Sequence, residues 1–232
     1  MEKTNIDDSI FRFIYIMAMQ DAVRQSAYSG ERKWLWSKPI FEILYKPLKN
    51  HIDSILNGDY KPQSDDDGKK ESYDKAFIGL AIEILSKINE EEKGKKKRER
   101  AEGNDTEKYK YKGTFKFGNA QKLINMTVKY FYVMTYGNNN ISRDHFQYCH
   151  CPVDGQMLKK VWKKRSSEIM EKMKGIKKID DFIIGWSNMA DEQYDGNMFN
   201  KNEKYNVFQE AVRDLCKEEK IIPIEFDYKY WE

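Results

Sequence analysis

FGNAQKLINMTVKYFYVMTY, residues 117–136, carries the clearest helical signature in this chain. Leu123, Ile124, Val128, Phe131 and Met134 recur at the three- and four-residue intervals that place side chains on one helical face. Gly137 and the asparagines after it close the helix. Gln121, Asn125 and Lys129 repeat every four residues and form a polar row of their own. Two readings of that row are open. It is the solvated side of a half-buried helix, or it lines a cleft where amides and an amine hold phosphate or backbone groups. In the second reading Lys122 adds charge near a helix N-terminus, whose dipole also favours anions.

Moving outward, GNNNISRDHFQYCHCPVDGQML (137–158) begins as loop. Pro152 is expected in the first turn of the next helix, which makes Cys151 its N-cap. A thiol at a helix N-terminus has a lowered pKa, so Cys151 is a candidate nucleophile. Asp154 either satisfies backbone donors of that turn or joins Gln121, Asn125 and Lys129 in a pocket. His145, Cys149, His150, Cys151 and Asp154 are all metal-ligand types. Their spacing lacks a second cysteine pair, with Cys216 alone downstream, so no metal site is expected. A Gly-rich phosphate loop and a dinucleotide fingerprint are both missing, and no cofactor is expected.

Arg143 and His150 are separated by six residues. That spacing is similar to the Arg-x(4–6)-His motif of the HEPN ribonucleases, which are also helical. The resemblance spans eight residues. It implies a metal-independent ribonuclease in which Arg143 and His150 serve RNA cleavage, usually across a dimer. Gly137 to Asn140 and Pro152 flank the pattern here, so loop is expected where that family has helix.

On the other side of the helix lies EEEKGKKKRERAEGNDTEKYKYK, residues 90–112. Of the twenty residues from Lys93 to Lys112, nine are basic and four acidic, so this tract carries +5 (9 − 4) and the rest of the chain −2 (3 − 5), for a net charge of +3. The tract has no apolar period and is expected to be a charged insertion, partly a solvated extension of the preceding helix. Tyr109, Tyr111, Phe115 and Phe117 then alternate with Lys110, Lys112 and Lys116, which predicts one short β-hairpin turning near Gly113. Lysine and arginine neutralise phosphates, and aromatic rings stack on unpaired bases. Lys95, Lys96, Lys97, Arg98, Lys110, Lys112, Lys116 and Lys122 are therefore the candidate nucleic-acid surface. The alternative is a merely solvated linker.

Further helices are expected at 6–28, at 37–57 with Pro39 in the first turn and a kink at Pro47, and from Ser72 onward. Residues 58–72 read as a loop. Additional helices are expected at 152–162, 165–174, 179–189 and 203–219, before an extended tail, IPIEFDYKYW. The fold class is all-α: a single compact multi-helix domain over 1–232. Hydrophobic residues at 40% and aromatics at 14% supply a real core. The near balance of 41 basic and 38 acidic residues excludes a uniformly basic binder. Phe11 to Met19 is too short to span a bilayer. Three cysteines, an odd count, suit reduced thiols in the cytoplasm.

The expected function is an intracellular, non-catalytic binding protein contacting nucleic acid or a nucleic-acid-associated protein. One alternative is the ribonuclease-like enzyme using Arg143 and His150, with Cys151 nearby. Another is a protein–protein adaptor anchored by exposed aromatics.

Overall fold

A computed structural model describes residues 8–27, 33–60, 66–101, 115–135, 141–173, 176–183 and 203–230. Among these are eight α-helices and no strand. They are α1 (Asp8–Ala27), α2 (Lys38–Leu56), α3 (Asp66–Ala101), α4 (Phe117–Thr135), α5 (Gly155–Lys172), α6 (Ile179–Ile183), α7 (Glu203–Glu219) and α8 (Pro223–Tyr230). Short 3-10 turns cover Lys33–Trp36 and Arg143–Phe146.

The buried apolar side chains form one continuous cluster. On α1, Phe11, Ile14, Tyr15, Ala18 and Ala22 supply the buried face. That face packs on α4, and the two helices run antiparallel. Phe11 lies 5.3 Å from Phe131 between ring centroids, while Asn119 donates to the Ala22 carbonyl at 2.7 Å. α2 packs on α3 and α3 on α4. The second half of the chain is arranged around α5, which contacts α6, α7 and α8. Lys164–Glu219 and Lys172–Glu210 pairs show that α5 and α7 are also antiparallel. Among the described residues, no helix is long and apolar enough to cross a membrane. Among the described residues, Phe13 (63% exposed), Val133 and Met134 are the most exposed large apolar side chains.

Several expectations change. α3 starts at Asp66 rather than Ser72, so the second half of the expected 58–72 loop is helix. The predicted hairpin is not borne out: Phe115 and Lys116 lead straight into α4, and positions 109–114 lie outside the described residues. Asn119 fixes the start of α4 at the expected residue, because its side chain accepts from the Lys116 N–H at 3.0 Å, half of a capping box. α2 runs as one helix through Pro47, within the expected span of 37–57. The two helical stretches expected at 152–162 and 165–174 are present as the two arms of α5, joined across a kink where Arg165 leaves helical geometry (φ −136°, ψ 22°).

The tail is helical, not extended. Pro223 pre-sets the first turn, and Glu225 accepts from the Ile222 N–H at 3.1 Å, again half of a capping box. α7 ends just before it in a Schellman motif, with Lys220 in the left-handed region (φ 55°) and Ile221 donating to the Cys216 carbonyl at 3.0 Å. A glycine would mark such a stop in sequence; a lysine does not.

Candidate functional site

The polar row of α4 is inside the protein. Gln121, Asn125 and Lys129 are 1%, 0% and 8% exposed, which overturns the solvated reading. Their task follows from the segment Cys149–Asp154, which is buried or nearly so and belongs to neither helix nor sheet. Its backbone groups must find partners away from water. Gln121 donates to the Val153 carbonyl at 3.0 Å and accepts from the Val153 N–H at 3.3 Å.

From the opposite side Gln209 does the same to Cys151, accepting from its N–H at 3.0 Å and donating to its carbonyl at 2.8 Å. Two side-chain amides thus stand where adjoining strands would stand. Gln209 belongs to a second row, Tyr205, Gln209 and Arg213 on α7, with the same four-residue spacing as the row on α4. Asn125 links the rows, donating to Gln121 Oε1 at 3.0 Å and to the Tyr205 hydroxyl at 3.3 Å.

His150 lies in this seam, 2% exposed. Its Nε2 is 2.8 Å from Asp74 of α3 and its Nδ1 is 2.8 Å from the Tyr205 hydroxyl. Burial pushes the imidazole down to about 4, against the opposing effect of Asp74, so the ring is neutral at pH 7. With Asp74 ionised, the proton belongs on Nε2, and the Tyr205 hydroxyl donates to Nδ1. Burial would raise the Asp74 carboxyl, but hydrogen bonds from His150 and Arg213 hold it well below the usual carboxylate range. Arg213 forks onto Asp74 and also donates to the Tyr148 carbonyl at 3.2 Å. A hydroxyl, an imidazole and a carboxylate in line evoke a nucleophile and its base. Tyr205 is 0% exposed, however, so its oxygen offers no surface to a substrate.

The lower end of the α4 row meets α8. Lys129 forms a buried ion pair with Asp227, whose carboxyl is raised by burial against the pull of Lys129. Lys122 reaches Asp154 at 3.3 Å. Asp154, not Cys151, caps α5, accepting from the N–H groups of Gln156 and Met157 at 3.0 Å each. Cys151 lies three residues before that cap, is 0% exposed, and has its thiol raised far above the usual range by burial, then by Asp227. That is the opposite of an activated nucleophile. Cys149 is buried too, its thiol pushed up to about 12 by burial.

Arg143 is placed elsewhere. Its guanidinium pairs with Glu225, and donates to the Lys220 carbonyl at 3.3 Å. The Tyr132 hydroxyl donates to the same Glu225 at 2.6 Å. Arg143 and His150 therefore have separate partners. Among the described residues, no group of three or more His, Cys, Asp or Glu is placed to hold a metal ion.

Of the candidate nucleic-acid residues, Lys95 to Arg98 lie on α3 beyond its buried stripe, which ends at Ile88 and Glu92. Lys116 stands at the start of α4, and Lys122 belongs to the seam through Asp154. Lys110 and Lys112 lie outside the described residues. Sequence reasoning missed Asp74, Gln209, Arg213 and Asp227. For Gln209 and Arg213 a signal was present: they repeat the spacing of the α4 row, one position after the apolar Phe208 and Val212. Compared with known protein families, curated proteins and solved structures, the chain finds no match.

Proposed function

We propose that this chain is a non-catalytic binding protein of the cell interior that contacts nucleic acid, or a nucleic-acid-associated protein, through the basic end of α3. One observation carries the reading. α3 continues as helix for nine residues past Glu92, its last buried side chain among the described residues, and six of those nine are lysine or arginine. A helix segment with no apolar face gains nothing from the core, and dense positive charge is the feature that phosphate backbones select. Lys93 with Lys97, and Lys96 with Arg100, are like-charge pairs one turn apart, which disfavour the isolated helix and which a polyanion relieves.

The seam weighs against the enzyme readings. His150 is neutral with both nitrogens engaged, Cys151 is buried and protonated, and Arg143 is occupied by Glu225. We read the chain as a single domain in which 90–112 is an insertion serving this contact.

Binding of mixed oligonucleotides, measured across salt concentrations, tests the proposal. Wild type should bind with log K falling steeply with log salt. The variant K95Q/K96Q/K97Q/R98Q should bind at least tenfold more weakly, with a slope shallower by about three to four. No binding by wild type at low salt would overturn the proposal. So would RNA cleavage that disappears in His150→Ala, or a protein partner captured equally well after nuclease treatment and by the neutralised variant.

A further inference from the structure

Resting on the reading of this chain as a nucleic-acid binder, we infer a second contact for the phosphate backbone, made by the first three turns of α5 and the end of α8. The stretch Gly155 to Lys164, GQMLKKVWKK, holds four lysines and no acid. Met157, Leu158 and Val161 are buried, so the apolar face of this stretch is fixed in the core. Lys159, Lys163 and Lys164 are exposed, and Lys160 beside them is half-buried. At about 100° per residue the four span about 140° of the helix circumference, a single face. Lys229 of α8 extends that face. Lys164 and Lys229 share one carboxylate at the end of α7, with Nζ 2.8 Å from Glu219 Oε1 and 2.9 Å from Glu219 Oε2. The same two ammoniums lie 4.5 Å and 5.7 Å from the centroid of the Tyr230 ring.

One carboxylate therefore serves two of the five lysines. Among the described residues, none pairs with Lys159, Lys160 or Lys163. Other helical lysines in this chain stand one turn from an acid that pairs with them: Lys38 with Glu42, Lys49 with Asp53 and Lys172 with Glu168. At the start of α5 the residue one turn on is another lysine, Lys163 after Lys159 and Lys164 after Lys160. Like charges at that spacing disfavour the helix. A polyanion laid on this face removes the repulsion and releases its own counterions.

The makeup of the face selects among polyanions. Protein–protein interfaces are depleted of lysine and are anchored by tryptophan, tyrosine and arginine. Arginine also provides the planar fork that grips carboxylates, whereas lysine serves phosphate as a point charge. A helix that lies on a membrane inserts its apolar face, and that face of α5 is committed to the core. Phosphates on one strand of a duplex advance about 3.4 Å each. A helical turn of about 5.4 Å keeps Lys159 and Lys163 within reach of neighbouring ones. The contact is to the backbone and carries little sequence preference.

Intact protein is titrated with mixed-sequence single- and double-stranded oligonucleotides across salt concentrations. The variant K159Q/K160Q/K163Q should bind at least fivefold more weakly than wild type at low salt, with the slope of log K against log salt shallower by about two to three. K159R/K160R/K163R should bind as wild type does. K38Q/K46Q/K217Q removes the same charge from three exposed lysines elsewhere and should stay within twofold of wild type. The thermal midpoint of K159Q/K160Q/K163Q should be no lower than that of wild type, because the variant removes like-charge repulsion. A lower midpoint would contradict that repulsion and overturn the inference. Unchanged affinity and slope in K159Q/K160Q/K163Q, or an equal loss in K38Q/K46Q/K217Q, would overturn the α5 surface while leaving nucleic-acid binding in place. Wild type that binds no oligonucleotide would overturn both, as would binding only to phosphatidylserine vesicles or only to polyglutamate.

Discussion

The Gln121/Asn125/Lys129 row of α4 and the Lys93–Arg100 arm of α3 are both polar runs on long helices, yet one lies in the core and the other beyond it. The difference is what each can be matched with. The α4 row faces a buried irregular segment whose backbone N–H and C=O groups need partners, and a second polar row on α7 that completes the set. The arm extends past Glu92, the last buried residue of α3 among the described residues, and its sequence is mostly lysine and arginine. Buried polar groups persist where each finds a partner. Where none is available, solvent or a polyanion takes that role.

The largest effect that could break this contrast is at the end of the seam. Lys129→Ala leaves Asp227 buried without its partner and should cost about 3–5 kcal/mol in a urea titration. The double replacement Lys129→Met with Asp227→Leu should recover most of that loss. If the single replacement costs under about 1 kcal/mol, Lys129 behaves as a surface residue and the seam is not closed.

The pH dependence comes next. His150 and His51 are buried and neutral, with burial pushing them down to about 4 and about 3. Unfolding frees both to charge at their ordinary pKa near 6.5, so below that pH the unfolded chain binds more protons and stability falls. Each histidine should remove about 3 kcal/mol as pH drops from 6.5 to 4. Asp74 adds to the loss further down, because its carboxylate is held below the usual range by His150 and Arg213. Asp227 acts with the opposite sign and smaller weight, since its raised carboxyl favours the fold at acidic pH. Denaturant titrations at pH 7 and pH 5 measure the slope, and His51→Phe should flatten it. A flat profile in wild type would mean the imidazoles are solvated.

The smallest effect belongs to the arm. The variant K95Q/K96Q/K97Q/R98Q should leave the thermal midpoint nearly unchanged, since surface replacements typically fall within about 0.5 kcal/mol. A large loss of stability would show that the arm packs on the body.

The helices were legible wherever apolar residues kept one spacing, as at 203–219, which is α7 to the residue. Boundaries failed where a side chain sets them without a glycine or proline signal at that position: Asp154 caps α5 three residues after the expected cap, Cys151, and Glu225 helps open α8 where an extended tail was expected. For the candidate site, the sequence pointed to the meeting of the α4 row and the CHCPVD segment, and the two do meet, but it left open whether the row was solvated, and the row is buried. Polarity at helical spacing is the same signal whether its partner is water or a buried backbone. Gln209 and Asp227 lie 58 and 98 residues from the groups they satisfy, a separation no local pattern records.

Native-state hydrogen exchange compares the two regions in one experiment. The amides of Cys151 and Val153, bonded only to the side-chain oxygens of Gln209 and Gln121, should exchange no faster than those in the middle of α4 and α7, through global unfolding. The amides of Lys95 to Arg100 should exchange orders of magnitude faster, through fraying of the arm. Exchange of Cys151 and Val153 at the rate of the arm would contradict the account, because the two polar rows would then not be closed around the segment they hold.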